Sequence, residues 1–356
     1  MRPVLVSDGG IGQAVSTLGA VRALALAGRP AHVGVSHPLS TAAWSRHCAR
    51  RVKVPPVDDP EAYRHSIEAL AASGRYDAVL LSSDAALLAT GWSGAALVDK
   101  TEVARRAERA GFAVTHEEEF ADGARLIAAG DRLSYPVAVK PVAKHEATAL
   151  NVWRADGPAD LEGGRDYPAP LIVQEWLPGT LRGMSGLVWG GRLRAVIHQT
   201  YARTWPRMAG VASHAVSVEP DLELEEKVVQ VLAGHDGMFN VQYLGRHHLI
   251  DINPRVYGSV VVTAHAGINL PDMVARLSVG EDVGGAEPLR APVGVHYRWL
   301  EGDVRSVLDG RRAGALSWRQ AARALRPVRG TIHADVQLSD PGPMLARVAY
   351  AVRTRL

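Results

Sequence analysis

The stretch Leu249-Ile250-Asp251-Ile252-Asn253-Pro254-Arg255 limits what this chain can fold into more than any other. Apolar and polar side chains alternate along it, which predicts a strand with two distinct faces. Pro254 has no N–H for a ladder and predicts the strand's end. Upstream, Phe239-Asn240-Val241-Gln242-Tyr243-Leu244 alternates in the same way, and Gly245-Arg246 reads as a two-residue turn between the two strands. In such a hairpin Leu244 opposes His247 and Gln242 opposes Leu249, so Gln242 shares a face with Asp251 and Asn253. Ile250 and Ile252 are expected to point together into a core. Three oxygen-bearing side chains on one face, with Arg255 at the strand exit, suit Mg²⁺, which takes oxygen ligands and leaves positions for water and phosphate. A polar hairpin face turned to solvent is the alternative.

The chain has 356 residues, room for two or three domains and a sizeable core. It has no long charge-free apolar run, so neither a transmembrane helix nor a membrane partner is expected. Met1-Arg2-Pro3 leads into a short strand rather than a secretory signal, and the single Cys48 precludes an intrachain disulfide framework. Both features suit a cytoplasmic protein. A net charge of +3 is too small to argue for nucleic acid, whatever the pI of about 9.1. Of 40 basic residues only five are lysine: Lys53, Lys100, Lys140, Lys144 and Lys227. In a chain that otherwise uses arginine, lysine marks sites that need a compact point charge.

Taken in order, residues 3–7, 31–35, 51–54 and 77–82 read as strands and 13–27 and 61–73 as helices, an alternation that predicts a Rossmann-like parallel α/β unit. The glycine loop after the first strand does not make a dinucleotide fingerprint. Gly10-x-Gly12 lacks a third glycine, and the second strand is followed by Ser36 and His37 rather than an acidic residue. Asp99 and Glu102 predict a capping box, and a further helix is expected near 120–129. Residues 135–141 form an apolar strand ending at Lys140, which a snorkelling edge lysine would also explain. Leu171-Ile172-Val173-Gln174-Glu175 is a buried strand that breaks at Trp176-Leu177-Pro178-Gly179. Gly190-Gly191 predicts a hairpin over 184–200. A basic loop runs through Arg203 and Arg207, and a helix over 221–233 leads back to the polar hairpin.

Asp99-Lys100, then Val139-Lys140-Pro141, then Val173 to Gly179, then Gln242 with Asp251-Ile252-Asn253-Pro254-Arg255, followed by Gly267-Ile268-Asn269-Leu270-Pro271, stand in an order that resembles the ATP-grasp superfamily, in its carbamoyl-phosphate synthase and carboxylate–amine ligase branch. The resemblance implies a mixed α/β and α+β architecture. A pre-ATP-grasp α/β domain would occupy 1–92, a small lobe 93–175, a large lobe 176–284 and a C-terminal α+β extension 285–356. It further implies that Lys100 and Lys140 hold ATP phosphates. Gln174, Glu175, Trp176 and Leu177 would form the adenine hinge, and Gln242, Asp251 and Asn253 would bind Mg²⁺ or Mn²⁺. Arg255 and Lys140 would act in catalysis, with Arg255 gripping the acceptor carboxylate and the acyl phosphate made from it. Arg203 and Arg207 would line the substrate loop.

Two departures from the family pattern stand out. The segment after Lys140 runs Pro141-Val142-Ala143-Lys144-His145-Glu146-Ala147-Thr148, with no glycine. Lys144 there either substitutes a charge for phosphate-binding amides or is a surface lysine. Thr180-Leu181-Arg182 stands where relatives place a ribose-binding glutamate. The arginines beyond 285 read as a solvated face, and no histidine or cysteine cluster has zinc spacing. The expected function is an ATP-dependent ligase joining a small carboxylate to an amine or a thiol through an acyl phosphate, with a homodimer among the arrangements open to it. A nucleotide-binding sensor or scaffold, or an enzyme activating carbamate or bicarbonate, is the alternative.

Overall fold

The computed structural model describes the chain apart from residues 8, 11–14, 143–151, 208–209, 246 and 354–356. Three sheets organise it. The first is parallel, with β1 (Val4–Ser7), β2 (Ala31–Val35), β3 (Cys48–Lys53) and β4 (Ala78–Leu81) in the order β3-β2-β1-β4. β1 is covered on both faces, which is why it is an uninterrupted apolar run rather than an alternating one. One cover is α1 (Val15–Leu26), and Gly19 on it lies so close to a later helix that a Cβ there would stand 3.1 Å from a Val260 methyl. Helices α2 (Pro60–Ala72) and α3 (Asp84–Thr90) complete this domain, and α4 (Lys100–Arg109) follows.

The second sheet is antiparallel: β5 (Glu117–Phe120), β6 (Val137–Pro141), β7 (Trp153–Ala155) and β8 (Leu171–Glu175), ordered β5-β8-β6-β7. Leu126 of α5 (Gly123–Ala128) packs with Val139, Leu161 and Leu171 beneath it. The third sheet has eight strands among the described residues. Along it run β13 (His248–Asn253), β12 (Gly237–Leu244), β9 (Leu181–Trp189), β10 (Arg192–Trp205), β11 (Val211–Ser217), β15 (His296–Arg298) and β16 (Ile332–His333), while β14 (Leu289–Arg290) pairs with β10. α6 (Leu222–Val231) covers one face through Leu224 and Val228, and α7 (Val261–His265) and α8 (Leu270–Ser278) join α1 on the other. β14, β15 and β16 come from beyond residue 285, and β15 and β16 build one edge of this sheet. They are interleaved with α9 (Leu300–Arg312) and α10 (Trp318–Ala324), and α11 (Gly342–Arg353) lies against residues 41–44 of the first domain.

Three local expectations need correction. The hairpin loop spans three residues, not two: Leu244 pairs with His248 and Tyr243 with Leu249, and His247 takes a left-handed φ of 63°. A β-bulge at Ile250 then brings Gln242 opposite Asp251 and Asn240 opposite Asn253. Ile252 and Leu249 enter the core, but the bulged Ile250 turns to the cleft instead. The helix expected near 120–129 begins only at Gly123, because Glu117–Phe120 pairs with β8. Asp99 caps α4 by accepting from the amides of Thr101 and Glu102, but the Glu102 carboxylate turns to Arg105 and Arg106, so no capping box forms.

Candidate active site

A cavity of about 1230 Å³ lies between the second and third sheets, above the typical range of roughly 300–1,000 Å³ for one drug-sized ligand. It exceeds what one such ligand needs. Lys100, Lys140, Gln174, Glu175, Trp176 and Leu177 line it, and so do Gln242, Asp251, Asn253, Arg203, Arg207 and Arg255. Lys144 lies outside the described residues.

Lys100 is the first residue of α4, held there by the Asp99 cap, and its ammonium meets the Asp251 carboxylate. Burial works against the ammonium, but Asp251, with Asp84 behind it, more than offsets that and raises the Lys100 pKa. Lys140 projects from β6 and donates to Glu117 Oε1 at 2.8 Å, on the far side of β8. Arg255 leaves the strand just past Pro254, as expected. Its Nε donates to Asp84 Oδ1 at 2.5 Å and one Nη to Asn253 Oδ1 at 3.0 Å. Asn253 in turn donates to the second Asp251 oxygen at 3.2 Å. Asp84, the first residue of α3, is therefore delivered to this cluster by the first domain.

At the opposite end, the Gln174 side chain is buried and donates to Thr115 Oγ1 at 3.2 Å, while its carbonyl oxygen has no partner among the described residues. An unpartnered buried acceptor lining a cavity suits the amino group of a purine. The Trp176 amide already donates to the Pro136 carbonyl at 3.0 Å, so it is not among the backbone groups a base could use. Arg154 covers the Trp176 indole, 5.4 Å from its ring centre.

On the third sheet the polar face continues inward. Asn240 donates to Ser185 Oγ at 2.8 Å and points at Tyr201 Oη, and burial raises the Tyr201 pKa although Asn240 and Gln242 hydrogen-bond to it. Gln242, Asp251 and Asn253 present hard oxygen donors with a single charge, a set that fits Mg²⁺ or Mn²⁺ whose remaining positions are filled by phosphate and water. Arg203 is committed elsewhere. Its fork grips the fully buried Asp303 through two bonds of 2.6 and 3.0 Å, and it also donates to His214 Nδ1 at 2.9 Å. Burial, then the charges of Arg203 and Arg298, push His214 down to about 4, so its ring is neutral and able to accept. Arg207 makes a longer contact to Asp309, 3.3 Å.

Asp84, Glu117 and Arg154 were not singled out from the sequence. Each is a lone charged residue whose partner lies on another element, and no local spacing marks it. His198 and His247 also have carboxylate partners, Glu225 and Asp221, that the strand pattern did not reveal.

Residues 168–302 match the family described as "ATP-grasp in the biosynthetic pathway with Ter operon". No curated protein matches the chain in sequence. Among solved structures, it is similar to N5-carboxyaminoimidazole synthetase from Staphylococcus aureus complexed with ADP, with a TM-score of 0.59, 13% identity, and 83% of this chain and 80% of that one covered. L-amino acid ligase from Bacillus licheniformis gives a TM-score of 0.55 at 15% identity, over 80% and 76% of the two chains. Biotin carboxylase from Campylobacter jejuni gives 0.56 at 15% identity, over 83% and 74%. At these identities the likeness speaks for the fold. No helix among the described residues is long and apolar enough to cross a membrane. The architecture of its sheets is that of the ATP-grasp fold, and residues 168–302 of the chain match an ATP-grasp family.

Proposed function

We propose that this protein is an ATP-dependent ligase that activates a carboxylate as an acyl phosphate and couples it to an amine. One observation carries the reading: a single cavity brings together two lysines, an oxygen-donor face and a planar guanidinium, and has volume beyond a nucleotide. Lys100 and Lys140 hold the phosphates as point charges once they exchange Asp251 and Glu117 for them. Gln174, Glu175, Trp176 and Leu177 wall the base. Gln242, Asp251 and Asn253 hold Mg²⁺ or Mn²⁺, which when bound neutralises phosphate charge. Arg255 aligns the carboxylate through its fork. A carboxylate oxygen attacks the γ-phosphorus, the bond to the bridging oxygen breaks, and ADP leaves with that electron pair. The amine nitrogen then attacks the acyl carbon, phosphate departs, and the nitrogen loses its proton to solvent.

The likeness to a solved amino acid ligase and to carboxyaminoimidazole synthetase supports this class of reaction but does not choose the substrates. The test is ADP release across a panel of acids and amines, with the joined product identified by mass. Release that rises only when acid and amine are both present supports the ligase. ADP formed with bicarbonate alone points to a carboxylase-type activation. Tight nucleotide binding with no turnover on any acid sinks the ligase reading in favour of a sensor or scaffold.

A further inference from the structure

Resting on that reading, we infer that the acid activated here carries an apolar body of aromatic size, received by a chamber that the end of the chain builds beside Arg255. The cavity does not stop at the phosphate cluster. Two residues past Arg255, the buried Tyr257 lines it, and the Tyr297 hydroxyl donates to the Gly258 carbonyl at 3.4 Å, bringing β15 to the same wall. Trp205 at the end of β10, Trp299 at the start of α9, and Leu316 between α9 and α10 close the space. The Trp299 indole N–H is buried there without a partner among the described residues. Gly310 lets Leu316 seat directly against α9 in this wall, since a Cβ there would sit 2.9 Å from Leu316 Cδ1 and 3.7 Å from Arg207 Cδ.

The charges of the chamber decide between an apolar body and a phosphorylated one. Both of its arginines face carboxylates: Arg203 is held bidentately by Asp303, which Arg298 also contacts at 3.1 Å, and Arg207 meets Asp309. A phosphate on the substrate would have to draw Arg203 and Arg207 off carboxylates they already hold, with the buried Asp303 standing against it. An aromatic or branched aliphatic body instead gains from covering Tyr257, Tyr297, Trp299 and Leu316, where each methylene removed from water strengthens binding about fourfold. Arg203 thus serves as part of the wall, fixed by Asp303, and leaves the carboxylate to Arg255.

The experiment is calorimetric binding to the full chain with ADP and Mg²⁺ present, using 3-phenylpropanoate, acetate and 3-phosphoglycerate as probes. Phenylpropanoate should bind at least about tenfold tighter than either of the others. Gly310→Phe, which drives Leu316 off its seat and into the chamber, should remove about that advantage while the ADP dissociation constant stays unchanged. Should that variant not fold, Leu316→Trp fills the same space and is read in the same way. Tightest binding of phosphoglycerate, or phenylpropanoate binding untouched by filling the chamber, overturns the inference and leaves the ligase reading standing. Failure of the unmodified chain to bind ADP overturns both.

Discussion

Lys100, Lys140, Arg203 and Arg255 each stand against a carboxylate: Asp251, Glu117, Asp303 and Asp84. On the proposed reading the first two exchange these partners for a nucleotide's phosphates, whereas Arg203 stays with Asp303. Asp251→Asn keeps the shape of its side chain but removes the single charge of the proposed metal face. Turnover should fall by about a hundredfold or more, and near-normal ADP release at ordinary magnesium levels would remove Asp251 from the site. For Arg255, the planar fork is what holds a carboxylate, so Arg255→Lys should lower turnover on the order of a hundredfold while sparing ATP affinity. A collapse of ATP affinity with unchanged turnover of bound ATP would make Arg255 a nucleotide ligand instead. The cations of this site were legible in the sequence because lysine is rare in it and arginine follows a strand-ending proline. Their counter-charges were not. Asp84 stands 171 residues from Arg255 and Asp251 stands 151 from Lys100, so only the folded topology brings each to its partner.

At the level of elements, the polar hairpin shows how a correct face can emerge from an incorrect register. A three-residue loop alone would have set Gln242 against Ile250 and turned Asp251 to the opposite side. The bulge adds one more residue and reverses that change, so the two departures cancel. Period-two reasoning detects the parity of side chains but neither the loop nor the bulge. β9 supplies a second element-scale constraint. Gly183 lies under Tyr201, where a Cβ would fall 2.4 Å from the hydroxyl and 2.8 Å from the ring. Gly183→Ala should therefore cost about 1–3 kcal/mol by chemical denaturation, as overpacking does. Adding Tyr201→Phe should recover part of the loss, and strict additivity of the two changes would show that they do not meet.

Across the whole molecule, the chain is fastened back to its beginning. Asp340 accepts from Arg22 of α1 at 3.1 Å, from Ser45 Oγ at 2.8 Å and from the Arg46 amide at 2.9 Å, with Arg22 only 2% exposed. Burial pushes the Asp340 carboxyl up, but these three donors outweigh it and the net pKa is lowered. Such a group stabilises the fold above its unfolded pKa, near 3.9, and the stabilisation is lost as pH falls through the lower folded value. Asp340→Ala should cost about 3–5 kcal/mol at neutral pH by stranding a buried guanidinium. It should also flatten the acid limb of the stability curve below about pH 4, and an unchanged acid limb would place the pair outside the cooperative core. The parallel domain at the front was legible from its strand and helix alternation. The fastening was not, because Arg22 and Asp340 are separated by most of the chain and no local pattern pairs them.

The strands contributed from beyond residue 285 have a consequence for how the protein can be altered. β15 lies directly beside β11, and the residues that follow it line the cavity as well as complete the sheet. A shortened chain would bare the backbone of β11 along a long edge, inviting strand addition by other copies. For the same reason the tail cannot be traded between relatives like a cassette. Any graft that brings a new wall to the cavity must also bring strands that match the ladder of β11, so its sequence is held at once to pairing on one side and to shape on the other.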